Sequence, residues 1–190
     1  MKAAVTDEQL IQWVAAGDPS CLATLFERHH RGVYRYFMQI LRNRTLCEDL
    51  VQDVFLKILR KASHFRGEGS FNGWMFNIAR NVALDHVRKA RRQDAAALDD
   101  EAVTPHLTDH RSAEQAATAT EKANLVLQAM AKLPAAAQEV IWLGRFEFDS
   151  YEELGQALDC SAATARVRMH RAMGLLSSTY KSVHGVAIDG

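Results

Sequence analysis

Proline is scarce in this chain, with 3 among 190 residues, and there are only 10 glycines. Together they make up about 7% of the sequence, against about 12% in an average protein. So few chain-breakers argue against a sandwich or barrel of many short strands and tight turns. Cysteine is also rare. Cys21, Cys47 and Cys160 are an odd number with no C-x-x-C pair, which argues against a disulfide framework or a zinc knuckle. No apolar run exceeds four residues, so a membrane-spanning helix is not expected. The stretch Met1-Lys2-Ala3-Ala4-Val5-Thr6-Asp7-Glu8 lacks the apolar segment of a signal peptide. The expectation is a cytoplasmic protein without membrane insertion. An excess charge of either sign is missing too, since 23 basic side chains face 23 acidic ones.

What is abundant is alanine, with 29 residues, in a chain that is 48% hydrophobic. That composition builds a helical core and excludes a disordered protein. The zero net charge hides a pattern. Residues 1–92 carry 15 basic and 9 acidic side chains, residues 93–124 carry 2 and 7, and residues 125–190 carry 6 and 7. A basic module, an acidic stretch and a near-neutral module follow one another. In the acidic stretch only Leu98, Val103 and Leu107 are large aliphatics, too few to offset the entropy of ordering it. The fold expected is all-α, two small helical domains joined by a flexible acidic linker.

Helix starts are legible. Thr6-x-x-Gln9, Thr45-x-x-Glu48, Ser112-x-x-Gln115 and Ser150-x-x-Glu153 fit the capping box, and Asp18-Pro19 and Pro134 mark further starts. After Ser150, a short helix with Leu154 and Leu158 inward meets a break at Asp159-Cys160-Ser161. A second helix then runs from Ala162 to about Leu176. Gly155 sits where the two cross, and the arrangement is a helix-turn-helix. At about 100° per residue, Ala165, Met169, Ala172 and Leu176 face inward. Val167, His170 and Arg171 face outward, with Arg166 and Arg168 on the shoulders. Arginine can bond guanine in a major groove, a methyl-bearing side chain can touch thymine, and flanking arginines can hold phosphates.

The stretch Phe65–Arg92 supplies a second surface. A loop with two glycines and two aromatics, Phe65 to Phe71, precedes a helix whose core face holds Met75, Ile78, Ala79, Val82 and Ala83. Asn77, Arg80, Asn81 and Arg88 share a stripe on the other side. Amides and cations beside an aromatic loop suit single-stranded nucleic acid, with Phe65 the aromatic contact and Trp74 and Phe76 in the core. A third stretch, Glu48–Arg60, buries Val51, Phe55, Ile58 and Leu59, while Asp49, Gln52, Asp53 and Leu56 lie on its exposed side as a docking face.

Three segments, in this order, resemble the extracytoplasmic-function sigma factors of bacterial RNA polymerase. EDLVQDVFLKILR (Glu48–Arg60) resembles their polymerase-docking helix, and FRGEGSFNGWMFNIARNVALDHVRKARR (Phe65–Arg92) their −10 recognition and melting helix. Leu133–Leu176, with SYEELGQAL and TARVRMHRA, resembles their −35 reading domain. The resemblance implies a domain at 1–92 for polymerase docking, −10 recognition and melting, a linker at 93–119, and a −35 domain at 120–190. Asp49, Gln52, Asp53 and Leu56 would meet core polymerase. Phe65, Asn77, Arg80, Asn81 and Arg88 would meet the −10 strand. Thr164, Arg166, Val167, Arg168, His170 and Arg171 would meet the −35 element. The partners implied are the two largest polymerase subunits, promoter DNA and an anti-sigma factor. Asp159 stands where the family's turn usually has glycine.

The alternative is a helix-turn-helix regulator acting without core polymerase, which does not need the Phe65–Arg92 segment. No catalytic motif is found, so an enzyme is not expected, nor is a cofactor or metal. Gly67-x-Gly69-x-x-x-Gly73 has the wrong spacing for a dinucleotide. His106 and His110 sit beside Pro105 in the linker, and Cys21 with His29-His30 lacks an orienting third group.

Overall fold

The structure, a computed structural model, describes residues 5–97 and 121–184. Eight α-helices are found there: α1 (Asp7–Ala15), α2 (Cys21–Leu41), α3 (Arg44–Lys61), α4 (Phe71–Ala97), α5 (Glu121–Ala131), α6 (Ala135–Phe146), α7 (Tyr151–Ala157) and α8 (Ala162–His184). A single 3-10 turn, Ala62–His64, follows α3, and no strand occurs among the described residues.

Local chemistry sets these boundaries. Thr6 makes both halves of its capping box with Gln9. Asp18 does not cap α2: the helix starts at Cys21 with Ser20 at its cap, and Asp18 instead accepts from the Ser20 N–H at 3.0 Å in the turn that leads into it. Ser150 accepts from the Glu153 N–H at 3.2 Å. The cap of α3 is not Thr45 but Asn43, whose side chain accepts from the Leu46 N–H at 3.1 Å. Asparagine is an equally good cap, and its earlier position lets the helix start one residue before Thr45. Pro134 stands at the cap of α6 rather than inside it. The Ser112–Gln115 box lies outside the described residues. Two helices outrun expectation. α4 passes Arg92 to reach Ala97, and α8 continues beyond Leu176 to His184.

The first half packs α1, α2, α3 and α4 around Ile11, Leu25, Val33, Phe37, Val54, Ile58, Met75 and Ala79, all fully buried. In α3 the inward stripe is Cys47, Leu50, Val51, Val54, Phe55 and Ile58. Leu59, expected inside, is 39% exposed because Val54 and Ile58 hold the centre of that face. The second half packs α5 and α6 against α8, with α7 wedged between α8 and α4, over Leu143, Leu154, Ala157, Ala165 and Ala172.

The two cores run into one another. Tyr36 of α2 meets Phe76 edge-on at 5.7 Å and Trp142 of α6 at 5.9 Å, and Phe76 meets Phe148 at 5.4 Å. Fully burying a large apolar side chain contributes about 1.5–3 kcal/mol, so these rings hold the halves together as well as filling them.

In the α7–α8 turn, Gly155 is irreplaceable by geometry. A Cβ there would lie 2.7 Å from the Cys160 carbonyl oxygen and 3.1 Å from the Ala162 nitrogen. Helix propensity alone favours Gly155→Ala by about 1 kcal/mol, whereas forcing the backbone apart costs about 1–3 kcal/mol. The clash should dominate. Gly155→Ala should lower the midpoint of thermal unfolding, and an unchanged or raised midpoint would show that the crossing has slack.

Candidate nucleic-acid interface

The α3 face on which docking is expected is solvent-facing, as the periodicity requires. Asp49, Gln52, Asp53 and Leu56 are all exposed, opposite the buried stripe. Leu56 is 49% exposed and, with Leu59, leaves aliphatic surface among carboxylates. That combination suits a protein partner, where apolar contact gives affinity and charge gives register.

The α4 face is built by Ser70, which accepts from the Gly73 N–H at 3.0 Å and starts the helix. Met75, Phe76, Ile78, Ala79, Val82 and Ala83 are buried, so the amide and cation stripe points away from the first core. Asn81 and Arg88 are exposed. Asn81 donates to the Asn77 side-chain oxygen at 3.2 Å, and Arg88 pairs with Asp85 at 3.5 Å. Asn77 and Arg80 are engaged by the second half. Asn77 donates to the Gln156 carbonyl at 3.2 Å, and Arg80 pairs with Glu139 at 3.3 Å. Phe65 is half-buried, its ring 5.4 Å from Trp74 and 6.3 Å from Phe71. The four residues expected on one stripe therefore share a face of α4 whose N-terminal end is covered, while Phe65 packs on Trp74 and Phe71.

The cover has its own chemistry. Glu139, just before the apolar run Val140–Leu143 of α6, accepts from the Tyr36 hydroxyl at 2.6 Å as well as from Arg80. Burial first, and the Glu139 carboxylate second, hold the Tyr36 hydroxyl well above its usual range, so it stays a donor. Glu147, at the end of α6, pairs with Arg35 at 3.2 Å. Burial pushes its carboxyl up, and Arg35 pulls it part of the way back. The Glu147 carbonyl accepts from Asn72 at 3.1 Å, and the Gln156 side chain accepts from the Ser70 N–H at 3.2 Å. Arg35, Tyr36, Asn72, Glu139, Glu147 and Gln156 were not found by sequence reasoning. The one available signal was a carboxylate on the apolar stretch Val140–Leu143, and nothing there tells which surface it meets.

The helix-turn-helix face is open. Ser161 caps α8, accepting from the Thr164 N–H at 3.2 Å, and its hydroxyl meets that of Thr164 at 2.9 Å. Ala165, Met169 and Ala172 are buried, and Thr164, Arg166, Val167, Arg168, His170 and Arg171 are exposed. Arg166 lies over the Tyr151 ring, 5.1 Å from its centroid, so one shoulder cation is already oriented by α7. Asp159 takes φ +53° in the turn, a left-handed conformation that aspartate tolerates better than most residues. Among the described residues no cluster of His, Cys, Asp and Glu could hold a metal ion.

Comparison with known proteins agrees with this layout. Sigma-70 region 2 matches residues 25–93, and sigma-70 region 4 matches residues 123–176. The chain is 30% identical to the ECF RNA polymerase sigma factor SigM of Mycobacterium tuberculosis, over 91% of this chain and 87% of that one. It is also 30% identical to the RNA polymerase sigma-H factor of Pseudomonas aeruginosa, over 87% and 89%. In fold it is similar to CnrH, solved with the cytosolic domain of CnrY (TM-score 0.65, 22% identity, 93% and 97% covered). It is likewise similar to RpoE of Bartonella quintana, solved with the anti-sigma factor NepR (TM-score 0.62, 22% identity, 84% and 96% covered). With both sigma regions in order and such relatives along nearly its whole length, the chain belongs to the extracytoplasmic-function sigma factors of RNA polymerase.

Proposed function

We propose that residues 1–92 dock on core RNA polymerase and capture and melt the −10 element, and that residues 120–190 read the −35 element. The observation that carries this division is the coexistence of two exposed faces of different character. Carboxylates with aliphatics lie on α3, and arginines around a valine lie on α8. A regulator acting without polymerase needs only the second face. The family initiates transcription by binding rather than by covalent chemistry, so the work asked of these residues is recognition. On this reading Asp49, Gln52, Asp53 and Leu56 meet the polymerase subunits. Asn81, with Phe65, captures an unstacked −10 base, and Asn77, Arg80 and Arg88 follow the strand.

An anti-sigma partner belongs to the same proposal, supported by the sigma factor RpoE having been solved with one. So does a cytoplasmic location. No described helix is long and apolar enough to cross a membrane.

Reversing the charge at Asp53 tests the docking face. Asp53 is exposed, and such substitutions rarely move stability by more than about 0.5 kcal/mol. Asp53→Arg should therefore keep its helical content and melting temperature while losing co-purification with core polymerase. A folded Asp53→Arg protein that still binds core removes α3 from the docking surface.

The α8 face makes a second test. On this reading Arg171, which is exposed opposite the buried Ala165, Met169 and Ala172, bonds a guanine edge, and Arg168, on the shoulder of that face, meets a phosphate. Loss of a base contact costs about 1–3 kcal/mol and relaxes preference at one position, while loss of a phosphate contact lowers the salt slope by about one unit. Binding-site selection with the holoenzyme at two salt concentrations should show Arg171→Ala altering −35 preference and Arg168→Ala altering salt dependence. A uniform loss of affinity from Arg171→Ala, with the preference intact, contradicts that division.

A further inference from the structure

The two shoulders of the α8 face are not alike. Arg168 is exposed and, among the described residues, has neither an ion pair nor a ring contact. Arg166 is exposed too, but its guanidinium lies over the Tyr151 ring, 5.1 Å from the centroid. Tyr151 is followed on α7 by Glu152 and Glu153, yet Arg166 forms an ion pair with neither. That choice of partner matters. A carboxylate would neutralise the cation, whereas a ring holds it and leaves its charge for a phosphate.

The ring is well seated. Tyr151 opens α7 directly after the Ser150 cap, is half-buried against the core, and lines one cleft with Leu154 and Met169. The crossing at Gly155, where no Cβ fits, fixes α7 against α8. A side chain of the short first helix therefore supports an arginine on the face of the second. Free arginine has many rotamers, and ordering them on contact with DNA opposes binding. An arginine already resting on a ring has less freedom to lose.

We propose that Tyr151 is a positioning residue for −35 binding: its ring holds the Arg166 guanidinium, oriented and still charged, at the edge of the α8 face, where it meets a DNA phosphate. The inference rests on the assignment of α8 to the −35 duplex. Arg166 is then the pre-set anchor of the pair, and Arg168 is ordered only on contact. Ring and cation have separable effects. Removing the cation lowers both the affinity and the number of counterions released. Removing the ring leaves the cation in place, so affinity falls while the salt slope stays.

The test titrates holoenzyme against a duplex bearing the −35 sequence that the parent selects, at several salt concentrations. Tyr151→Leu and Tyr151→Met, both large enough to cover the same core, should keep native helical content and bind about two- to fivefold more weakly at every salt concentration, with an unchanged slope. Tyr151→Phe, which keeps the ring, should bind as the parent does. Arg166→Ala should lower the slope by about one unit, and adding Tyr151→Leu to it should cost nothing more, because the ring acts through that arginine. Full affinity in a folded Tyr151→Leu or Tyr151→Met protein overturns the inference. So does a Tyr151→Phe loss as large as that of Tyr151→Leu, which would place the hydroxyl itself on DNA, or an undiminished Tyr151→Leu effect in the Arg166→Ala background. These three outcomes leave the −35 assignment standing. If instead Arg166→Ala, Arg168→Ala and Arg171→Ala all leave affinity, slope and preference unchanged, the assignment of α8 to the duplex fails and the inference falls with it.

Discussion

Two glutamates placed where little water reaches govern this structure. Glu139 and Glu147 lie at the seam between the halves, with side chains only 14% and 10% exposed. A carboxylate withdrawn from water must find charge or hydrogen-bond donors nearby. The donors available are Arg80, Tyr36 and Arg35, on the two helices that form the floor of the first half. That requirement fixes which surface of α4 the second half meets, and so which surface remains for anything else. Tyr36 serves both sides of the balance. Its ring packs with Phe76 and Trp142, and its hydroxyl donates to Glu139.

The two kinds of contact at the seam have different consequences. The cores of each half are aliphatic and aromatic and gain from every methylene removed from water. The seam adds ion pairs and amide–carbonyl bonds, whose net worth is small because solvent satisfies the same groups equally well once they part. The seam is therefore part core, through Tyr36, Phe76, Trp142 and Phe148, and part polar contact, the polar part fixing the arrangement that the rings hold.

Much of this was legible in the residues. The Thr6 and Ser150 caps, the inward stripe of α8 and the exposed faces of α3 and α8 follow from spacing alone, because each depends on contacts within one helix or its immediate partner. The α3 cap was misplaced because Asn43 and Thr45 are both competent and only the backbone decides between them. Leu59 was placed inside because a helical wheel cannot tell the edge of a buried stripe from its centre. The cover over Asn77 and Arg80 was invisible for a deeper reason. It joins residues separated by more than fifty positions, through polar side chains whose pattern is the same whether they face water, DNA or another domain.

The run of α4 to Ala97 leaves 23 residues between its end and the start of α5 at Glu121. A chain of that length spans at most about 80 Å when fully drawn out, and at 3.4 Å per base pair that is the length of roughly two dozen base pairs. The segment thus sets an outer limit on the distance between the end of α4 and the start of α5 when the halves part. It also keeps the halves at a local concentration set by its length. Their mutual encounter therefore does not depend on how much of the protein the cell makes, whereas the encounter of either half with polymerase does.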